Sequence, residues 1–260
     1  MVPTISIVSM TISLLLNLGL VIFAFIFLRR KFNFSVVPIF IGALSFVLFA
    51  LVLGPLIMVN PLFMPGADGS AARITPDNLL LFVLLSTLAS GLFEETGRLV
   101  SFLLIKKRYR GIGTGISYGI GHGGIEVLAL VVLTMLNNII LSLQINSGSG
   151  ALLGAVPNID QIAALLVSTP PYMYLVAFAE RIPAMVMHIS WSVMVWYAVN
   201  KGGKAWLLYP GAIVLHMIAN TMPALAHAGV VTSVLLIEIV IYVIAAGIAA
   251  LAVYVHKRSN

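Results

Sequence analysis

At 260 residues, with 61% hydrophobic and only 8% charged side chains, the chain is too apolar for a soluble domain, which carries about 25% charged residues. It has no cysteine, which excludes disulfides, thiolate metal sites and a cysteine nucleophile. The net charge of +6 invites a nucleic-acid reading, but in so apolar a chain it reports basic loops on one side of a membrane, and no nucleic-acid partner is expected.

Apolar runs of about 18 or more residues read as membrane spans, and about seven follow one another. The first, about 3–28, ends at Arg29, Arg30 and Lys31. It is long and evenly apolar, without a basic start or a small-residue cleavage site, and reads as a retained span rather than a signal peptide. The second, about 36–59, runs into a loop rich in Pro, Gly and Asp. Thr75 or Asp77 is placed to cap the third, about 78–105, which ends at Lys106, Lys107, Arg108 and Arg110. The fourth, about 111–143, precedes a polar loop, Gln144–Gly150, and a mildly amphipathic piece at 159–167 suited to the interface. Pro170 and Pro171 open the fifth, about 171–199, in which Pro183 predicts a kink. Lys201 and Lys204 separate it from the sixth, about 205–226, and the seventh, about 230–255, ends at His256, Lys257 and Arg258. The expected fold is an all-α polytopic membrane protein, one transmembrane helical domain over residues 1–260.

Of the 14 Lys and Arg, all but Arg73, Arg98 and Arg181 fall in the four clusters at 29–31, 106–110, 201–204 and 257–258. With the N-terminus outside and the C-terminus cytoplasmic, all four clusters lie inside, while Asp68, Asp77 and Asp160 lie outside. The chain shows no convincing internal repeat, and seven spans do not divide into equal inverted halves, which counts against a secondary transporter.

Against this apolar background Glu94, Glu95 and Arg98 stand out, because a charge near the bilayer centre costs roughly 2.5–3.5 kcal/mol on insertion scales. Counted from the basic helix ends, Glu94, His122, His188 and His216 each lie about 11 or 12 residues in, roughly 16–18 Å deep at about 1.5 Å per residue. That is near the middle of a core about 30 Å thick. Four spans running in both directions thus place polar groups in one plane. Gly111, Gly115, Gly119 and Gly123 form a smooth helix face beside His122, inviting close helix packing. Gly121 and Gly124 add an expected kink or opening there.

Arg98 is one helical turn from both glutamates, so it can compensate one while the other faces a cavity. A single Glu–Arg pair would read as a structural brace; a double glutamate level with three histidines reads as a site. His122 has Glu126 one turn on and His216 has Asn220, spacings suited to a ligand and a second ligand or orienting group. Imidazoles and carboxylates at one depth suit zinc (Zn2+). His188 has Ser192 one turn on, the only hint of a serine–histidine pair. Glu180 and Arg181 lie farther outward and read as structural, pairing with each other or with Glu126. Glu238 is isolated, and His227 and His256 sit at helix ends with no role assigned. The chain has no HExxH motif, no aspartate within a span, no GxSG motif and no Gly-rich phosphate loop, which sets aside several other protease classes.

At these residues the chain resembles YhfC-type proteins, in the superfamily of the CAAX prenyl endopeptidases, the CPBP/abortive-infection proteins and PrsW. The resemblance rests on Glu94-Glu95-Thr96-Gly97-Arg98, Tyr118-xxx-His122, His216-xxx-Asn220, the run Gly121–Glu126 and the run Glu180–Ser190. Arg98 comes one residue earlier than in the EExxxR of the CAAX enzymes, and Tyr118 replaces their usual Phe. The resemblance implies an intramembrane zinc metalloprotease in a bacterial or archaeal plasma membrane, acting on a membrane-embedded or membrane-associated peptide or protein. It implies Glu94 as general base, organised by Glu95 and Arg98, and His122, His188 and His216 as ligands. Asn220 would be a ligand or oxyanion partner, and Glu126 a fourth ligand or a group that orients one. A catalytically silent scaffold, which the superfamily also contains, and an ion- or proton-coupled transporter are the alternatives.

Overall fold

The structure is a computed structural model that describes residues 1–56, 78–148 and 156–258. Among these residues seven helices are long and apolar enough to cross a membrane, and no strand is present. The helices are α1 (Thr4–Phe32), α2 (Val37–Leu56), α3 (Leu79–Ile105), α4 (Ile112–Ser147), α5 (Ile159–Ser168), α6 (Pro171–Ala179), α7 (Arg181–Lys201), α8 (Leu208–His227) and α9 (Val234–Lys257). α6 and α7 together make one span, and α5 is too short to cross. The end of the second expected span, the loop after it with Thr75 and Asp77, and the end of the Gln144–Gly150 loop lie outside the described residues.

Two compact units can be distinguished, one formed by Met1–Ile26 with Glu126–Ile182, the other by Phe27–Ile125 with Pro183–Asn260. In the first, Val2, Met10, Val131, Met135, Leu141, Leu166 and Tyr174 form a common core. α5 joins it through Leu166, so the amphipathic piece expected at the interface is anchored by an apolar side chain. Asn146 clamps the start of α1: it accepts from the Val2 amide at 2.7 Å and donates to the Val2 carbonyl at 2.9 Å. α1 buries a small polar face of Ser6, Ser9, Ser13 and Asn17, with Asn17 donating to the Ser13 carbonyl at 2.9 Å. Such small side chains let helices approach closely in lipid. α4 runs on to Ser147, past the expected start of the polar loop at Gln144, and ends at Gly148 (φ 69°), whose amide caps the Gln144 and Ile145 carbonyls. Polar residues at the water interface continue a helix without penalty until a left-handed glycine stops it.

In the second unit, helix packing follows the glycines. A Cβ on Gly119 would lie 2.6 Å from Ile189 Cα, and one on Gly115 3.0 Å from the Ser192 carbonyl oxygen, so this face of α4 lies directly on α7. On the opposite face Gly121 meets Ile39 and Gly42 meets Tyr118, bringing α2 equally near. Gly91 does the same between α3 and Ile213 of α8. Gly111 serves the turn instead of the packing. At φ +77°, with open space around it, it is the left-handed residue before α4. α9 buries only one stripe, Ile237, Ile241, Ala245, Ile248, Ala252 and Val255, as expected of a helix with its other faces in lipid.

Two irregularities depart from expectation. The opening expected around His122 is absent, and that residue lies in regular α-helix; the helix widens to π geometry at Val127–Val132 instead. The glycines around His122 are held between neighbouring backbones, which enforce regular geometry where the isolated sequence would be weak. The break in the fifth span falls at Glu180, between α6 and α7. Pro183 causes it from one turn on, because it has no N–H for the Ala179 carbonyl.

Candidate metal centre

α3, α4, α7 and α8 converge in the second unit on a polar cluster. Glu94, Glu95, Arg98, His122, His188 and His216 are all buried there. Glycines on α3 and α4 bring the backbones close enough for these side chains to touch, and the helical spacing does the rest. Arg98 pairs with Glu95 one turn away, and neither side chain is exposed. Glu94 Oε2 lies 3.0 Å from His122 Nε2 and 3.8 Å from His216 Nε2. Glu95 Oε1 lies 3.0 Å from His216 Nδ1.

Hydrogen-bond chemistry assigns roles to the ring nitrogens. An ionised carboxylate only accepts and an arginine only donates. His122 Nε2 therefore donates to Glu94, and His216 Nδ1 donates to Glu95. Arg98 Nη2, 3.3 Å from His188 Nδ1, donates to it, and Arg98 Nε donates to Ser192 Oγ at 3.0 Å. Ser192 in turn donates to the His188 carbonyl at 2.7 Å, so its hydroxyl is committed to backbone rather than to the imidazole, which removes the serine–histidine reading.

The rings are set by aromatic neighbours. Trp191 stacks on His216 with centroids 4.2 Å apart and planes 8° apart, and Tyr118 stacks on His122 at 6.0 Å. His122 and His188 have centroids 4.9 Å apart. Trp191 carries no mark in the sequence beyond lying three residues after His188, and its part in fixing His216 was not foreseen. Arg98 reaching across to α7 was likewise unforeseen, since its spacing to the glutamates accounted for its charge.

The donor set fits a metal ion. Glu94, His122 and His188 each offer a ligand atom within 4.8 Å of the others, all three residues buried. A metal ion would replace the proton on His122 Nε2 and leave Glu94 beside it as a carboxylate able to take a proton. His216 has the arrangement of a ligating histidine: Nδ1–H on a carboxylate, which orients the ring and leaves Nε2 its lone pair. His188 does not, because accepting from Arg98 at Nδ1 puts the proton of a neutral ring on Nε2. Buried His122 Nδ1 and Glu95 Oε2 have no hydrogen-bond partner among the described residues, the kind of orphan that a bound ion or water satisfies.

Asn220 donates to Ser90 Oγ at 2.8 Å, which ties α8 to α3 one turn before Glu94. Glu126 belongs to the first unit, where Arg181 holds its Oε1 at 3.0 Å. Arg181 also lies 3.7 Å from Glu180, so both of the pairings considered for it occur.

An integral membrane protein with seven candidate spans among the described residues, and with glutamates, histidines and an arginine buried as one candidate metal centre, defines the class. The chain belongs to the YhfC intramembrane metalloprotease family, which matches residues 14–241. It is similar to the "Uncharacterized membrane protein YhfC" of Bacillus subtilis (strain 168), 32% identical over 247 residues that cover 94% of this chain and 90% of that protein. No solved structure matches it.

Proposed function

We propose that the chain is an intramembrane zinc endopeptidase that hydrolyses a peptide bond of a membrane-embedded or membrane-associated substrate. The observation that supports this best is Glu94 Oε2, placed at 3.0 Å from one histidine nitrogen and 3.8 Å from another. His122, His188 and His216 would hold the ion, with the Arg98 contact released from His188 on binding. A bound zinc would polarise the scissile carbonyl and acidify water. Glu94 would take the proton from that water and pass it to the leaving amine. Glu95, held by Arg98, would keep His216 oriented. Asn220, now tied to Ser90, would turn to the substrate carbonyl as an oxyanion donor. Glu126, held by Arg181, would be a structural brace rather than a ligand.

The four basic clusters support an orientation with the N-terminus outside, in which a cysteine placed at position 108 is labelled only from the cytoplasmic face. Labelling from outside would reverse it.

The closed set of hydrogen bonds through Glu95, Arg98, Ser192 and His188 favours one other reading, a silent scaffold braced by the same residues. Metal content of purified wild type and His122→Ala, together with membrane peptides from cells expressing wild type or Glu94→Gln, separates the two. The protease reading expects about one zinc per wild-type chain, much less in His122→Ala, and peptides lost in Glu94→Gln. Wild type without metal, or indistinguishable peptide sets, would overturn it.

A further inference from the structure

Away from the buried cluster, the second unit has a pocket of about 560 Å³ where α7 ends, α8 is entered and α9 ends. Three cations from three segments line it: Lys201 at the end of α7, Lys204 in the short 3-10 turn Gly203–Leu207, and Arg258 just past α9. Among the described residues none of the three takes part in an ion pair, so their charge is left for a ligand. Arg258 is held in place, its guanidinium 4.7 Å over the Tyr254 ring, and Tyr254 itself lines the pocket. Gly202 and Gly203, at φ 69° and 54°, make the turn, and a Cβ on either would meet nothing within 4 Å, so that rim is open.

The surroundings indicate what enters. Leu208 at the start of α8 and Leu251 within α9 give the pocket an apolar wall beside the cations. Trp206, 37% exposed and two residues from Lys204, is the kind of side chain that marks the headgroup level. Basic residues at that level, arranged around a pocket between helices, recognise phosphate headgroups. A planar guanidinium fixed on a ring offers two parallel donors to phosphate oxygens, and the lysines offer point charges beside it.

We infer that this pocket binds the phosphate of an anionic phospholipid, with Lys201, Lys204 and Arg258 on the phosphate and an acyl chain along Leu208 and Leu251. The shared chemistry is a phosphate group. The apolar wall and the helix-end position select a lipid over a soluble phosphate. The site is separate from the candidate metal centre, and its test does not depend on catalysis.

The experiment is native mass spectrometry of the purified full chain, titrated with phosphatidylglycerol, with phosphatidylcholine, and with inorganic phosphate. Phosphatidylglycerol is expected to bind at low stoichiometry and to outcompete phosphatidylcholine. Lys201→Gln/Lys204→Gln/Arg258→Gln should weaken it roughly 10- to 100-fold. Lys201→Arg/Lys204→Arg should keep it, and thermal stability in a neutral detergent reports whether each variant folds. Arg29→Gln/Arg30→Gln/Lys31→Gln removes the same charge elsewhere and should leave binding unchanged. Equal loss in that control would show bulk charge attraction and overturn the site. Wild-type binding by the triple variant would overturn it too. Inorganic phosphate binding as tightly as the lipid would overturn the lipid assignment in favour of a soluble ligand.

Discussion

Each unit carries a glutamate–arginine pair inside a membrane-spanning segment, and the two pairs are built differently. Glu95 and Arg98 are neighbours on α3, both with fully buried side chains, and each also contacts a histidine on another helix. Glu126 and Arg181 meet from α4 and the start of α7, with side chains 13% and 19% exposed, and Arg181 has Glu180 as its second ion-pair partner. A buried charge alone therefore does not mark chemistry, since both pairs are costly to place in a membrane. The company each pair keeps is what distinguishes them. One is wired into titratable, metal-capable side chains; the other joins carboxylates to an arginine, one residue before the widened turn of α4 and at the break before α7.

The largest expected effect breaks this comparison in activity. Glu94→Gln should lower cleavage of a membrane substrate by about 10²–10⁴-fold, the usual worth of a general base, while melting within a few degrees of wild type. Glu126→Gln should retain most of the activity. Proteoliposome assays with product detected by mass spectrometry check both, and comparable losses in the two variants would end the distinction between the pairs.

Stability gives the next contrast. Arg98→Met leaves Glu95 buried without its cation, a change that costs about 3–5 kcal/mol in other proteins. Arg181→Met should cost less, because the carboxylates it leaves, Glu126 and Glu180, are 13% and 36% exposed where Glu95 is fully buried. The double variant Glu95→Gln/Arg98→Met should recover part of the loss. Denaturant unfolding in mixed micelles reads all three, and an equal cost for the two arginines would show that the pairs are equivalent braces.

Metal affinity sharpens the ring assignments within the site. His122→Ala and His216→Ala should each weaken zinc binding by about 10–100-fold or more. His188→Ala should weaken it less, because the Arg98 contact at Nδ1 opposes ligation by that ring. Competition with a zinc chelator measures the order. A His188→Ala loss larger than that of His216→Ala would mean that the Arg98 bond lapses at no cost when the ion arrives.

The spans were legible because bilayer thickness and apolarity fix helix length almost alone, and α1, α3, α4 and α9 begin or end within a few residues of where basic clusters and loops put them. The meeting of Glu94, His122, His188 and His216 was legible from the same arithmetic, since counting residues from a helix end gives depth. Counting does not give rotation about the helix axis. That is why Glu126, one turn from His122 and a reasonable ligand by spacing, is found on Arg181, and why Trp191 passed unnoticed beside His216. The π segment at Val127–Val132 was invisible for another reason. Its sequence, VLALVV, is ordinary helix-compatible apolar residues, and no residue type in it marks the widening.

The smallest expected effect tests whether the glycines, too, are told apart by their company. Gly19 of α1 and Gly119 of α4 both sit inside helices, where Gly→Ala alone is worth about 0.5–1 kcal/mol of helix stability. At Gly19 a Cβ would meet nothing within 4 Å, so Gly19→Ala should be neutral or stabilising by up to about that amount. At Gly119 it would stand 2.6 Å from Ile189 Cα and 3.0 Å from both the His188 carbonyl oxygen and Ser192 Oγ. Backbone atoms cannot swing aside as a side chain tip can, so α7 must shift. Overpacking of that kind costs about 1–3 kcal/mol, which outweighs the helical gain. The shift would also move His188 away from His122, whose ring lies 4.9 Å from its own, so Gly119→Ala should lose metal affinity as well as stability, and Gly19→Ala should lose neither. Equal melting temperatures and equal zinc affinities for the two variants would show that α4 and α7 are not pressed together at this glycine.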